Sequence, residues 1–372
     1  MRSSFSKKVD IRSINSRDKV REVHRNLSSQ GRKALFEEFY SRQMRLKDLG
    51  RKGQLRLAQS KVAVVGLGGL GTASSLYLAL AGVGSLRLID QDTVDLENLH
   101  RQVLYRPEDV KYPKAEVAAK RLRGKNPLVK VEGVTENVNE GNVERLLKHM
   151  DCVVDGLDNL RTRYLVNRAC IKLRIPYVFG AAIGVEGNLS VFAPPETPCL
   201  ECVFPDVEDG QLATCEGEGV LSMTPGIIGT LQAMETVKLL AGFGENLKNR
   251  LMICDFNDMY FGMIDVFRRS DCVACNEIGR PNEAAEKVVW LCGKDTANVN
   301  PTKPWKTSVT RLSAVINERF EVKLRSSLAI VFGYKTFEVS LFNGGRMLIK
   351  NVKDEKTALR VYREIAEKLM VS

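Results

Sequence analysis

The chain has 372 residues, 44% hydrophobic and 27% charged, enough for one large α/β unit and a smaller one. No apolar run approaches the roughly 20 residues of a membrane-spanning helix, and no apolar leader follows Met1, so a cytoplasmic location is expected and no membrane contact. The net charge of +11 is uneven: residues 1–35 carry +7 of it. That stretch reads as a solvated basic extension; docking to an acidic partner or loose nucleic-acid contact are the sharper readings. Nine Cys, an odd number, argue for reduced thiols with metal or catalytic use for some.

After the extension, residues 35–59 show apolar side chains at helical spacing and contain Tyr40-Ser41-Arg42-Gln43. Val62-Ala63-Val64-Val65 is an apolar strand that runs into Gly66-Leu67-Gly68-Gly69-Leu70-Gly71, and an apolar helical stretch follows. A second strand, 86–89, ends at Asp90. Residues 93–106 read as a polar crossover, 114–124 as a helix after Pro113, 129–135 as a strand and 142–150 as a helix. Cys152-Val153-Val154-Asp155 is a buried-type strand that leads through Gly156-Leu157-Asp158-Asn159 into another helix, and 177–181 is the next strand.

The alternation to this point predicts an α/β fold with a Rossmann-like, mostly parallel sheet and helices on both faces. Strands at 187–192 and 251–255 are expected to continue it antiparallel, with a polar stretch 206–219 and a helix 225–241 between them. Polar residues 278–305, with three Pro, read as a linker between a large domain, 36–277, and a small α+β unit, 306–372. In that unit a helix from Val309, strands at 328–331, 336–342 and 347–349, a turn at Asn343-Gly344-Gly345 and a helix from Glu355 are expected.

The chemistry starts at the glycine loop. Gly66 permits the tight turn, Gly68 lets the backbone approach a phosphate, and Gly71 lets the helix sit close to the strand. The helix N-terminus adds free N–H groups and partial positive charge. Asp90, 22 residues after Gly68, stands where a ribose-binding acid belongs. Arg101 and Lys114 then flank the crossover at the carboxyl ends of the strands. Each alone is also what a solvated surface carries. Together they suit a triphosphate better than a nicotinamide, because breaking an α–β phosphate bond needs cations on the leaving pyrophosphate.

Asp158 is placed to hold Mg²⁺, although an N-cap is the plain role for an Asp before a helix; Asp155 suits a structural role. Cys199-x-x-Cys202 with Cys272-x-x-Cys275 predicts a closed four-thiolate Zn²⁺ site. The 69 residues between the pairs mean it would staple distant parts of one domain. Cys152, Cys170 and Cys254 read as core, and Cys292 as structural. Cys215, in Ala213-Thr214-Cys215-Glu216-Gly217, is either a reactive nucleophile or inert, with no His near it in sequence and with acids that raise its pKa.

In this order the constellations resemble the ThiF/MoeB/HesA-type adenylyltransferases, which activate ubiquitin-like and sulfur carrier proteins. The resemblance covers about residues 36–275 and rests on Tyr40-Ser41-Arg42-Gln43, the glycine loop, Asp90 to Asp92, Asn98-Leu99-His100-Arg101-Gln102, Pro113-Lys114, Asp155 to Asn159, Gly180-Ala181-Ala182, both Cys pairs and Gly229-Thr230-Leu231-Gln232-Ala233.

It implies ATP held by Gly66, Gly68, Gly69, Gly71, Asp90, Asp92, Asn98, Arg101, Gln102, Lys114, Asp158 and Asn159, with Asp158 on Mg²⁺. It implies Arg42 reaching across a homodimer into the partner's triphosphate site, and a partner ending in Gly-Gly whose carboxylate is adenylated. Cys215 falls where relatives form a thioester or persulfide. The C-terminal unit departs from the minimal family pattern, and no rhodanese-like loop is visible. A nicotinamide-dependent oxidoreductase, a non-catalytic scaffold docking a ubiquitin-like protein, and an enzyme adenylating a modified tRNA base are the rival readings.

Overall fold

Four consecutive apolar residues can form a strand only where both sheet faces are covered, and β1 (Lys61–Val65) meets that condition. Val62 and Val64 enter the core on one face, and Ala63 and Val65 enter the core on the other. The structure, a computed structural model, describes residues 29–205, 219–276, 288–290, 295–301, 305 and 307–370.

Two helices precede β1: α1 (Ser29–Phe39) and α2 (Gly50–Gln59). The single helical stretch expected over 35–59 is thus broken, by a turn and a short 3₁₀ segment at Gln43–Arg45. The break is anchored, because Tyr40 is buried and accepts from Asn126 Nδ2 at 2.7 Å, while Gln43 Nε2 donates to Ala81 O at 3.1 Å.

Next come α3 (Gly69–Ala81), β2 (Ser85–Ile89), α4 (Lys114–Lys125), β3 (Lys130–Val134), α5 (Val143–Leu147), β4 (Cys152–Asp155), α6 (Leu160–Leu173) and β5 (Tyr177–Ile183). They are followed by β6 (Glu186–Phe192), α7 (Leu200–Val203), α8 (Met223–Ala241), β7 (Arg250–Asp255) and β8 (Tyr260–Asp265). The eight strands form one sheet in the order 3-2-1-4-5-6-7-8. Strands 3, 2, 1, 4 and 5 are parallel, and 6, 7 and 8 continue antiparallel. The order reverses between β1 and β4, which opens a crevice at their carboxyl ends, the place where open α/β sheets bind ligands.

Helix α8 lies close against α3 because Gly229 has no side chain; a Cβ there would sit 2.5 Å from Leu70 O. Its Gln232, fully buried, donates through Nε2 to Asp155 O at 2.7 Å and Val178 O at 3.2 Å. Gly180 makes room for that side chain. The Gly-Ala-Ala and Gly-Thr-Leu-Gln-Ala motifs therefore face one another in the fold.

A second sheet has six antiparallel strands in the order 11-12-13-14-10-9. These are β9 (Val288–Trp290), β10 (Thr296–Val299), β11 (Glu321–Arg325), β12 (Ala329–Tyr334), β13 (Phe337–Phe342) and β14 (Met347–Lys350). Helices α9 (Val309–Arg319) and α10 (Glu355–Met370) share its main core through Ile316, Val361 and Ile365. Strands β9 and β10 correct the linker reading of 278–305. Three- and four-residue strands carry too little periodicity to stand out in a polar stretch, and they form because β14 supplies an edge for β10. The basic extension to residue 28, Cys292 and most of the rest of the expected linker lie outside the described residues.

Candidate active site

The turn after β1 and the turn after β4 meet at the crevice. Gly66 has φ +88°, and a Cβ on it would lie 2.4 Å from Gly156 O. A Cβ on Gly71 would lie 1.9 Å from Gly66 O, so α3 starts closer to its strand than any other residue allows. Gly68 is different: the nearest protein atoms to its Cβ position are 4.0 Å away, Gln102 Nε2 among them. Its outer side is the open approach to the first N–H groups of α3.

Asp90 closes the floor of the loop. One carboxylate oxygen accepts from Leu67 N at 2.6 Å and the other from Asp92 N at 2.7 Å. Burial pushes its pKa up to about 6; Lys114 and the two N–H donors oppose the rise, and Asp92 adds to it. Lys114, nearly buried, donates Nζ to Asp92 Oδ2 at 3.1 Å. Burial works against its charge, but Asp92, Asp90 and then Asp158 outweigh burial and hold its pKa above the ordinary lysine value. Lys114 is therefore a fixed cation whose field Asp158 reaches.

On the other wall, Arg101 donates Nη2 to Asn98 Oδ1 at 2.8 Å, and its stem passes 3.6 Å from the Cβ position of Gly69. Among the described residues, buried Gln102 has no partner for Oε1, and Asp92 Oδ1 is likewise unpartnered. Buried polar atoms without partners are uncommon and here mark places a ligand or water must satisfy. Tyr105, which the sequence reading missed, donates its hydroxyl to Leu67 O at 3.0 Å and buttresses the loop from below.

Asp158 is exposed, accepting from Asn159 Nδ2 at 3.1 Å. Asn159, expected on the nucleotide, caps α6 by accepting from Thr162 N at 2.9 Å. Asp155 is the buried member of the pair. It binds Arg163 at 3.0 Å and Tyr177 Oη at 2.7 Å, and Arg163 donates on to Leu157 O and Gly180 O. Burial raises the Asp155 pKa, with Arg163 and Tyr177 opposing. This network holds the turn bearing Asp158. A signal for it existed in the sequence, an Arg eight residues after a strand-end Asp, but nothing there pairs it with Tyr177.

The crevice thus gathers Gly66, Gly68, Gly69, Gly71, Asp90, Asp92, Asn98, Arg101, Gln102, Lys114 and Asp158. Arg42 stands apart, exposed in the turn after α1. Cys215 lies outside the described residues.

The two Cys pairs form a separate centre. Their four sulfurs lie within 4.8 Å of one another, with Cys199–Cys202, Cys199–Cys272 and Cys202–Cys275 at 3.8, 3.7 and 3.6 Å. A tetrahedral ion with bonds of about 2.3 Å to sulfur needs sulfurs about 3.8 Å apart, so the donor set fits such an ion. Around it, Asn167 Oδ1 accepts from Leu200 N, and Glu201 accepts from Asn167 and Arg168, which pins α7 to α6. Cys152, Cys170 and Cys254 are buried, as expected of core thiols.

A glycine-loop crevice holding a fixed cation and an exposed acid defines a nucleotide-binding α/β enzyme. A profile of the ThiF family matches residues 40–274, which is more than half of the chain. The chain belongs to the ThiF family. The SAMP-activating enzyme E1 of Haloferax volcanii is 44% identical over 241 residues, 64% of this chain and 89% of that protein. The sulfur carrier protein adenylyltransferase of Thermus thermophilus is 42% identical over 244 residues, 64% of this chain and 90% of that protein. Among solved structures, E. coli MccB with ATP shares the fold: TM-score 0.56, 22% identity, covering 67% of this chain and 82% of that one. The family match ends at 274, before the second sheet begins at Val288.

Proposed function

We propose that the protein uses ATP to adenylate the C-terminal carboxylate of a ubiquitin-like sulfur carrier protein ending in Gly-Gly. The enzyme class is adenylyltransferase, which sets the hydride-transfer reading aside; the Haloferax relative is named a SAMP-activating enzyme E1 and the Thermus relative a sulfur carrier protein adenylyltransferase. The observation that carries the reading is Lys114, a nearly buried ammonium fixed between Asp90, Asp92 and Asp158 beside a glycine loop. A hydride-transfer site has no use for a cation placed there; a departing pyrophosphate does.

In this reading the ribose hydroxyls lie against Asp90, and the phosphates cross the open side of Gly68 onto the N-terminus of α3. Lys114, Arg101, Asn98 and Gln102 line their path. A carrier carboxylate oxygen attacks the α-phosphorus, the bond from that phosphorus to the bridging oxygen breaks, and pyrophosphate leaves with the electron pair. Positioning and charge neutralisation do the work, with no proton transfer at the reacting atoms. Asp158, as an exposed carboxylate in the field of Lys114, would hold Mg²⁺, which would neutralise charge on the leaving group. The four cysteines would hold Zn²⁺ in a closed, structural site.

Exposed Tyr260, Phe261, Met263 and Ile264 on the sheet-edge strand β8 supply apolar surface that supports protein docking. Arg42 would serve a homodimer by reaching the partner's crevice. A following thioester at Cys215 would release AMP.

The test is isotope exchange of pyrophosphate into ATP with a Gly-Gly-ending carrier, read beside intact-protein mass analysis. Exchange that needs the carrier, plus a carrier adenylate, is expected. Absence of exchange with every such carrier defeats the reading, and exchange with a carrier-derived mass on Cys215 identifies the second step.

A further inference from the structure

Gln91 sits between the two acids of the crevice, and it is held from both sides. Its side-chain oxygen accepts from Asn137 Nδ2 at 2.6 Å, and its carbonyl accepts from Arg346 Nη2 at 2.7 Å. Arg346 belongs to the other sheet, in the turn between β13 and β14, outside the family match. It is 5% exposed, stacks with its guanidinium carbon 3.7 Å from the Phe342 ring centroid, and gives Nη1 to Asn298 Oδ1 at 2.8 Å. Nη2 also reaches Thr135 O at 3.2 Å.

The planar fork is thus spent on two carbonyls of the nucleotide-binding sheet and one amide of its own sheet, a geometry an ammonium cannot reproduce. Burial lowers its pKa to about 10, with Asp92, Asp90 and Glu136 holding the charge on, so it is a cation at neutral pH. Arg346 is thus a second cation, besides Lys114, whose charge both crevice acids favour.

Other contacts between the sheets also exist. Lys111 pairs with Glu338 at 2.5 Å, Lys350 with Asp95 at 2.8 Å, and Ser327 donates to Glu116 at 3.0 Å. None of them touches residues 90–92. They hold the units together; Arg346 acts on the segment that carries Asp90 and Asp92.

We infer that Arg346 is a positioning residue for the nucleotide, clamping the Asp90–Asp92 segment so that the C-terminal unit forms part of the ATP site. This rests on the adenylation reading for the identity of the ligand. Losing the fork frees the Gln91 carbonyl and leaves two acids facing one cation, so the oxygens meant for ribose and for Lys114 lose their fixed geometry.

The experiment uses the full chain and measures ATP binding by equilibrium dialysis, steady-state kcat and KM for ATP in carrier adenylation, and thermal unfolding. Arg346→Met is expected to raise the Kd and KM for ATP about tenfold, as loss of one or two charge-assisted hydrogen bonds predicts, with kcat within about twofold. Arg346→Lys is expected to recover part of the affinity through charge alone. Glu338→Gln, which loosens the contact between the sheets elsewhere, is expected to leave ATP binding unchanged.

Unchanged ATP binding in Arg346→Met overturns the inference, as does an equal loss in Glu338→Gln or a loss that tracks the unfolded fraction. A wild-type chain that binds no ATP defeats the adenylation reading itself, and this inference with it. Wild-type binding with an unaffected Arg346→Met defeats only the inference.

Discussion

Asp155 and Asp158 are three residues apart and have opposite environments, and this separates their roles. Asp155 is fully buried on Arg163 and Tyr177, so Asp155→Ala leaves a buried guanidinium unpaired and should cost roughly 3–5 kcal/mol in denaturant unfolding. Asp158 is exposed, with Asn159 its only described hydrogen-bond partner, so Asp158→Ala should leave stability within about 0.5 kcal/mol. The same substitution should lower pyrophosphate exchange by roughly 10²- to 10³-fold. An active Asp158→Ala enzyme would remove that residue from the machinery. Asp90 gives the site a pH dependence. With its pKa near 6 in the fold, it is mostly ionised at pH 7 and mostly protonated at pH 5, so KM for ATP should rise about tenfold over that interval. The stability sign is opposite. The unfolded carboxyl, near 3.8, has already lost its proton where the folded one keeps it, so between about pH 6 and 4 acidification favours the fold through this group. A flat KM profile between pH 7 and 5 would take Asp90 out of nucleotide binding.

The glycine loop is an element whose positions do different jobs, and single alanines should tell them apart. Gly71→Ala and Gly66→Ala place a Cβ within 1.9 and 2.4 Å of backbone oxygens, so both should destabilise the fold as well as abolish ATP binding. Gly68→Ala meets no protein atom closer than 4.0 Å and should fold with little change in melting temperature while losing ATP affinity, because its methyl occupies the phosphate's approach. Equal melting losses in all three would mean that the loop is structural throughout. This element was legible from sequence because everything it needs is local: a strand, glycines at fixed offsets and a helix. Elements without a strong local pattern were not. β9 and β10 pass for linker until β14 offers an edge, and β8 is not visible as a strand because its exposed apolar residues lack the alternation of a half-buried one.

Across the whole molecule, the Cys centre joins α7 to a segment some 70 residues further on. Cys272→Ser should lower bound metal from about one per chain towards none and reduce the melting temperature by roughly 10 °C, since a metal bound only by the folded state stabilises it. A fully stable, metal-free Cys272→Ser protein would make the quartet four ordinary thiols. Among the described residues no helix is long and apolar enough to cross a membrane. The second sheet meets the first through Arg346, Lys350, Glu338 and Ser327, which come from four separate places in the sequence.

The sequence by itself determined the α/β class, the glycine loop with Asp90, and the Cys pairs, because each is written in short-range spacing that local chemistry obliges the chain to honour. Only the tertiary structure decided that Asp155 is held by Arg163 and Tyr177 and that Asn159 caps a helix. It alone shows that Lys114 is caged by acids, and that an arginine more than 250 residues from Asp90 reaches the same segment. Those outcomes depend on burial and on which distant groups share a low-dielectric space, and neither quantity exists until the sheets have packed.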